Sequence, residues 1–223
     1  MVISQGHRRS IRSRSPRSST FAWVVLAALW LWSGQPLHAQ PPREDILFVG
    51  SSIFHRWTNL KEQMAPLPVF NRAIDGLQTT DLLRMVDSTV IAHTPRIIVY
   101  YCGSNDVDSG ERAEAIADRF RQFVTRVSTR LPSTRVFFVS INKAPEKKNL
   151  WDVVDAVNAA VKLYAEKNPN VGYIDVNPAL FDSGGRPREE LYLSDGLHFR
   201  AKAYEEFTRI IKPVLAKGWQ ESR

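Results

Sequence analysis

A single cysteine, Cys102, occurs in 223 residues, so no intramolecular disulfide can form, however oxidising the compartment. Cys102 ends an apolar run and reads as a buried structural thiol. Metal-binding signatures are also missing: there is no His-Glu-x-x-His, and the histidines lack ligand-like spacing, so no metal is expected. Neither a dinucleotide fingerprint nor a phosphate-cradling Gly-Lys loop is present, which removes the usual reasons to expect a nucleotide cofactor; none is expected. No internal repeat or second domain is visible. Long apolar runs are scarce too. The stretch from Phe21 to Trp32 holds twelve apolar residues, short of the roughly 20 an ordinary membrane-crossing helix needs.

Acidic residues are absent from the first 39 positions, and this decides how the net charge is read. The chain carries +7, but Arg8, Arg9, Arg12, Arg14 and Arg17 supply five of those charges, leaving +2 for the rest. The basicity belongs to a leader, so nucleic acid is not an expected partner. A basic, Ser-rich start, the apolar stretch and a polar segment ending Pro36-Leu37-His38-Ala39 together read as a secretory signal over residues 1–39. A retained N-terminal anchor is the rival reading, and only that would tie the chain to a membrane. Arg8-Arg9-Ser10-Ile11 faintly resembles a twin-arginine signal but lies far from the apolar core. Residues 40–44 form a short linker, and residues 40–223 make up the expected domain.

What remains is ordinary globular sequence, with 43% hydrophobic and 24% charged residues. Five apolar, β-favouring runs occur at 46–49, 68–71, 97–102, 135–141 and 171–176. Their near-continuous hydrophobicity suits parallel strands covered on both faces. Segments with helical spacing lie between them: Leu82, Val86 and Val90; Phe120, Phe123, Val124 and Val127; Val153, Val154, Val157, Val161 and Tyr164. A last amphipathic face is outlined by Tyr204, Phe207, Ile210, Ile211 and Val214. The alternation predicts a doubly wound α/β domain of about five parallel strands, with ligands collecting at the carboxyl ends. Residues 182–188 read as an exposed loop.

Polar blocks closely follow several of these runs. Ile46-Leu47-Phe48-Val49 leads into Gly50-Ser51-Ser52, and Ser52 at a strand exit is a candidate nucleophile, although Gly-Ser-Ser is also a common loop sequence. A serine needs a base, and Asp195-Gly196-Leu197-His198 places a carboxylate three residues before an imidazole, a pairing that can fix a tautomer and create one. Asp195 could equally cap the last helix. His55, only three residues from Ser52, is a second candidate base with no evident orienting acid. Asn71-Arg72-Ala73-Ile74-Asp75-Gly76 and Gly103-Ser104-Asn105-Asp106 offer donors for a developing oxyanion: the Gly76 N–H and the Asn105 amide. Each is also a common turn residue. Trp57, Trp151, Phe181 and Tyr192 either line a pocket or pack as core and rim.

These four blocks, in this order, resemble those of the GDSL/SGNH family of serine esterases and acylhydrolases, over about residues 45–215. The resemblance implies a flavodoxin-like three-layer α/β/α sandwich. It implies Ser52 as nucleophile, His198 as base and Asp195 as its partner, with Ser52 N–H, Gly76 and Asn105 forming the oxyanion hole. Two departures stand out. Ser51 replaces the family's aspartate before the nucleophile, which leaves two adjacent serines to distinguish. Ala73 and Asp75 replace common glycines, and Asp75 brings a carboxylate close to the oxyanion region.

The expectation is therefore an exported serine esterase, periplasmic or extracellular, cleaving an O-acyl ester of a small molecule through an acyl-enzyme. A short acyl group on a carbohydrate or other small polar molecule is the preferred substrate class. A lysophospholipid-type lipid acylhydrolase and an O-acyltransferase use the same groups. A non-catalytic carbohydrate- or envelope-binding module shares the fold but not the need for this residue set.

Overall fold

The computed structural model describes residues 45–221. The expected signal segment and linker lie outside the described residues. The five apolar runs become β1 (Ile46–Gly50), β2 (Val69–Asn71), β3 (Ile97–Tyr101), β4 (Arg135–Val139) and β5 (Val171–Ile174). All pairings are parallel, and the sheet order is β2-β1-β3-β4-β5. Strand side chains alternate between faces, so the continuous hydrophobicity of β1 and β3 supplies two cores at once. Ile46, Phe48, Val99 and Tyr101 enter one core, whereas Leu47, Val49, Ile98 and Tyr100 enter the other.

Helices fill both sides: α1 (Ser52–His55), α2 (Leu60–Met64), α3 (Thr79–Arg84), α4 (Val86–Thr89), α5 (Ser104–Asp108), α6 (Ala113–Arg130), α7 (Trp151–Glu166) and α8 (Ala201–Glu221). Residues of α1, α2 and α8 cover the Phe48 face, where Trp57 stacks on Tyr204 with ring centroids 5.1 Å apart. Residues of α3, α6 and α7 cover the Tyr100 face, and Phe120 packs edge-on against Tyr100 and Phe138. Each such ring, removed from water, contributes about 1.5–3 kcal/mol. The result is the flavodoxin-like three-layer sandwich. No helix among the described residues is long and apolar enough to cross a membrane.

The helical faces read from spacing hold with two adjustments. Leu82, Val86 and Val90 are all buried, but the helix breaks at Met85 (φ −90°, ψ 0°), so the face continues across α3, α4 and the residue beyond. In α8, which contains Pro213, Val214 is exposed and Leu215 takes the buried position. Three runs also outlast their strands. Cys102, Ile141 and Val176 lie past the last paired residues yet remain fully buried, because the chain turns beneath the active face instead of leaving the core.

Sheet order places the functional region. After β1 the chain crosses to β2 on one side, and after that to β3 on the other. The crevice that opens between the carboxyl ends of β1 and β3 is the topological switch point, where α/β sheets bind ligands. Ser52 follows β1, and Asn105 follows β3.

Candidate active site

The turn after β1 is set by close backbone approach. Gly50 has φ +141°, and a Cβ there would sit 1.7 Å from the carbonyl oxygen of Tyr101. No side chain fits. Ser51 N–H donates to that same oxygen at 3.0 Å, and Ile74 N–H donates to the Gly50 carbonyl at 2.9 Å. The exits of β1 and β3 and the second polar block are thereby fixed to one another. Ser51 is almost fully buried ahead of α1, and its hydroxyl makes no capping bond. Ser52 opens the helix with 7% exposure. Its N–H belongs to the first turn, where no intrahelical acceptor exists, and it donates to no described residue.

The second block is braced by Asn71, whose Nδ2 donates to the Phe54 carbonyl at 2.6 Å while Oδ1 accepts the Ala73 N–H at 3.1 Å. Gly76 adopts φ +73°, a left-handed conformation that favours glycine, and its N–H has no acceptor among the described residues. The space where a Cβ would lie is open. Asn105, on α5, donates one hydrogen of Nδ2 to the Leu77 carbonyl at 2.9 Å, and a primary amide retains a second. Asp106 locks the two blocks together. It is buried, accepts the Thr79 N–H at 3.0–3.1 Å and the Thr79 hydroxyl, and pairs with Arg119 at 3.2 Å.

The carboxylate expected beside the oxyanion region is neutralised. Asp75 pairs with Arg56 at 3.0 Å, and that hydrogen bond, opposed by burial and helped by the charge of Arg56, lowers the Asp75 pKa.

Asp195 partners His198 and braces its own turn, and it does not cap α8. One oxygen, Oδ1, accepts the N–H groups of Leu197 and His198 at 2.9 Å and so holds the turn. The other, Oδ2, takes His198 Nδ1 at 2.7 Å. Burial acts to raise this carboxyl, but the bonds from His198 and the two amides outweigh it and hold the pKa at about 2. With Nδ1 bound to a carboxylate, Nε2 is the ring nitrogen left for exchange with substrate or nucleophile. Nε2 and Ser52 Oγ are not hydrogen-bonded to each other in this structure; such bonds commonly tighten only in the substrate complex. A long-range link holds the helix that follows this loop against the nucleophile turn: Tyr204 on α8 donates to the Ile53 carbonyl on α1 at 2.9 Å.

Other candidates sort out plainly. His55 Nδ1 lies 3.0 Å from the Ala73 carbonyl and has no carboxylate partner. Cys102 is buried, and desolvation drives its thiol pKa far up, which suits a structural role. Trp57 and Tyr192 belong to the core, whereas Trp151 and Phe181 line an outer cleft. Among the described residues no group of three or more His, Cys, Asp or Glu could hold a metal ion.

Lys147 escaped the sequence reading. It is 2% exposed, sits in the 3-10 segment Pro145–Leu150, and pairs with Asp108 on α5 at 3.1 Å. Its neighbour Glu146 donates a backbone N–H to the Gly196 carbonyl at 3.2 Å. This segment thus joins the Asn105 helix to the Asp195–His198 turn. A lysine in a charged run gives no sign of burial.

Comparison with known proteins bears on this arrangement. The GDSL-like lipase/acylhydrolase family model matches residues 48–206, which take in all four polar blocks. The chain belongs to that family. It is a serine hydrolase of carboxylic ester bonds. No curated protein gives a significant match. Similar solved structures include a GDSL-like lipase from Bacteroides thetaiotaomicron, at TM-score 0.68 and 19% identity over 80% of this chain and 92% of that one. A carbohydrate esterase family 3 protein from Talaromyces cellulolyticus matches at TM-score 0.62 and 18% identity, covering 78% and 96%. The lipase/acylhydrolase from Enterococcus faecalis matches at 0.62 and 17%, covering 77% and 95%. At these identities the likeness is one of fold.

Proposed function

We propose that this GDSL-family chain is an exported esterase that removes a short O-acyl group from a carbohydrate or similar polar molecule, with Ser52 as nucleophile. The observation carrying the reading is the pairing of His198 Nδ1 with Asp195 at 2.7 Å, on the same face as two N–H groups without acceptors, those of Ser52 and Gly76. In the reaction His198 Nε2 takes the Ser52 hydroxyl proton as Oγ attacks the acyl carbonyl. Asp195, ionised throughout, holds the imidazolium that forms. The oxyanion meets Ser52 N–H, Gly76 N–H and the second Asn105 Nδ2 hydrogen. His198 then protonates the leaving alkoxide, and water, deprotonated by the same imidazole, releases the acid and regenerates Ser52.

A polar alcohol is favoured over a lipid by the surroundings of the site. The loops around the crevice carry Arg56, Asp75 and Asp195 at its edge, and the described residues include no long apolar lid. Export rests on the leader sequence alone. Turnover of p-nitrophenyl acetate by single variants tests the assignment: Ser52→Ala abolishes it with the fold intact, whereas Ser51→Ala lowers it only moderately. Equal loss in both variants would remove the basis for choosing Ser52.

A further inference from the structure

A second feature on the active face has no part in the proposed chemistry. Beyond the ends of β4 and β5 lies a cleft of about 370 Å³, lined by Lys143, Trp151, Asp175, Asn177, Pro178 and Phe181. That volume falls within the range of small-molecule sites. Its two rings meet edge to face, with centroids 5.5 Å apart. The Lys143 ammonium stands 5.7 Å from the Trp151 centroid and 5.6 Å from that of Phe181.

The walls are held rigidly. Trp151 Nε1 donates to the buried Ala144 carbonyl at 2.8 Å, which fixes the plane of the indole. Asn177 ties the two strand exits together: Oδ1 accepts the Lys143 N–H at 2.8 Å, and Nδ2 donates to the Ile141 carbonyl at 3.0 Å. Asp175 Oδ1 accepts from the Ser140 hydroxyl at 3.0 Å and the Asn177 N–H at 3.1 Å, while Oδ2 takes no bond from the described residues. Lys143 Nζ gives one hydrogen to Asp155 at 3.2 Å and has two more.

Fixed aromatic faces beside an open carboxylate oxygen and unused ammonium hydrogens match one ligand chemistry closely. A pyranose ring presents C–H groups on a face and hydroxyls around its edge, the first for the rings and the second for Asp175 and Lys143. We infer that this cleft is a distal sugar subsite, which holds a ring of an oligosaccharide chain whose acylated unit lies at Ser52. The identity of that chain as substrate rests on the proposed carbohydrate esterase reading; the binding of sugar does not. In the sheet order, β5 lies three strand spacings from β1, about 14 Å. One sugar unit cannot span both places, so the preferred substrate is an oligomer, not a monosaccharide ester.

The test titrates the purified protein with unacylated tetrasaccharides of β-linked xylose, glucose, mannose and N-acetylglucosamine, following indole emission and heat of binding. At least one saturates, and Trp151→Ala weakens its binding about tenfold, the scale of a lost ring contact. Trp151→Phe, which retains a ring but loses the bond to Ala144, keeps most of it. Lys143→Met weakens binding several-fold with the fold undisturbed. Turnover of p-nitrophenyl acetate, which has no distal sugar, is unchanged in all three variants. If no tetrasaccharide saturates, or binding survives both Trp151→Ala and Lys143→Met, the subsite is refuted. Loss of p-nitrophenyl acetate turnover in the unaltered protein would count instead against the esterase reading.

Discussion

Replacing Asn105 with alanine separates two roles that one amide performs. Nδ2 gives a hydrogen to the Leu77 carbonyl at 2.9 Å, and in the proposed reaction its other hydrogen meets the oxyanion. The first role concerns stability. A bond of this kind contributes about 0.5–1.5 kcal/mol net, and the Leu77 carbonyl keeps a weak contact from the Cys102 thiol at 3.5 Å, which limits the penalty. For a domain of this size 1 kcal/mol corresponds to about 2–4 °C, so the melting temperature should fall by only a few degrees. The second role concerns rate. Loss of one oxyanion donor costs about 2.7–4 kcal/mol in the transition state, or 10²–10³ in kcat, with KM little changed because the contact forms only as charge develops. Kinetics with p-nitrophenyl acetate at 25 °C, set beside thermal unfolding by circular dichroism, read both effects on the same preparation. A kcat within about threefold of the parent, with the small stability loss as expected, would make Asn105 a brace between loops and refute its place in the oxyanion hole.

Further perturbations test the surroundings of that site. Arg56→Ala should cost less than about 1 kcal/mol in stability, since both partners of the Arg56–Asp75 pair are close to half exposed. It should nonetheless lower kcat several-fold by leaving the Asp75 carboxylate unneutralised, and Arg56→Ala with Asp75→Ala should restore the rate; no recovery would mean that Asp75 acts on nothing. Gly50→Ala should destabilise by at least about 2–3 kcal/mol in urea unfolding, because its methyl would overlap the Tyr101 carbonyl in a backbone conformation that disfavours side chains. Asp195 has a folded pKa depressed from 3.8 to about 2, so its contribution to stability is complete above the ordinary carboxyl range and is lost as pH falls through about 2. Carbon-13 NMR of labelled aspartate should therefore show no titration of this carboxyl at pH 4 or above, and a midpoint there would break the assigned pairing.

Much of this architecture is written in local sequence. The runs around Phe48, Val99 and Phe138 are dense in β-favouring apolar residues, and burial on both faces is the only arrangement that covers them. Three of the four polar blocks were legible as polar residues at strand exits, and the fourth, Asp195 to His198, as an acid three residues before an imidazole. Their braces were not. Lys147 finds Asp108 across 39 positions of chain, and Arg119 reaches Asp106 from the middle of α6, pairings that only the tertiary fold creates. The four aromatics weighed as pocket residues show the same division. Composition cannot tell Trp57, stacked on Tyr204 in the core, from Trp151, which borders an open cleft. Strand ends were overrun for a related reason: Cys102 and Ile141 satisfy the apolar pattern through burial without pairing.

Activation of Ser52 is tested most directly by fluorophosphonate labelling of the folded protein, with the adduct located by peptide mass mapping. One adduct is expected, on Ser52, formed at a rate that collapses in His198→Ala and survives in Ser51→Ala. An adduct on Ser51, or none on protein shown to be folded, would contradict it.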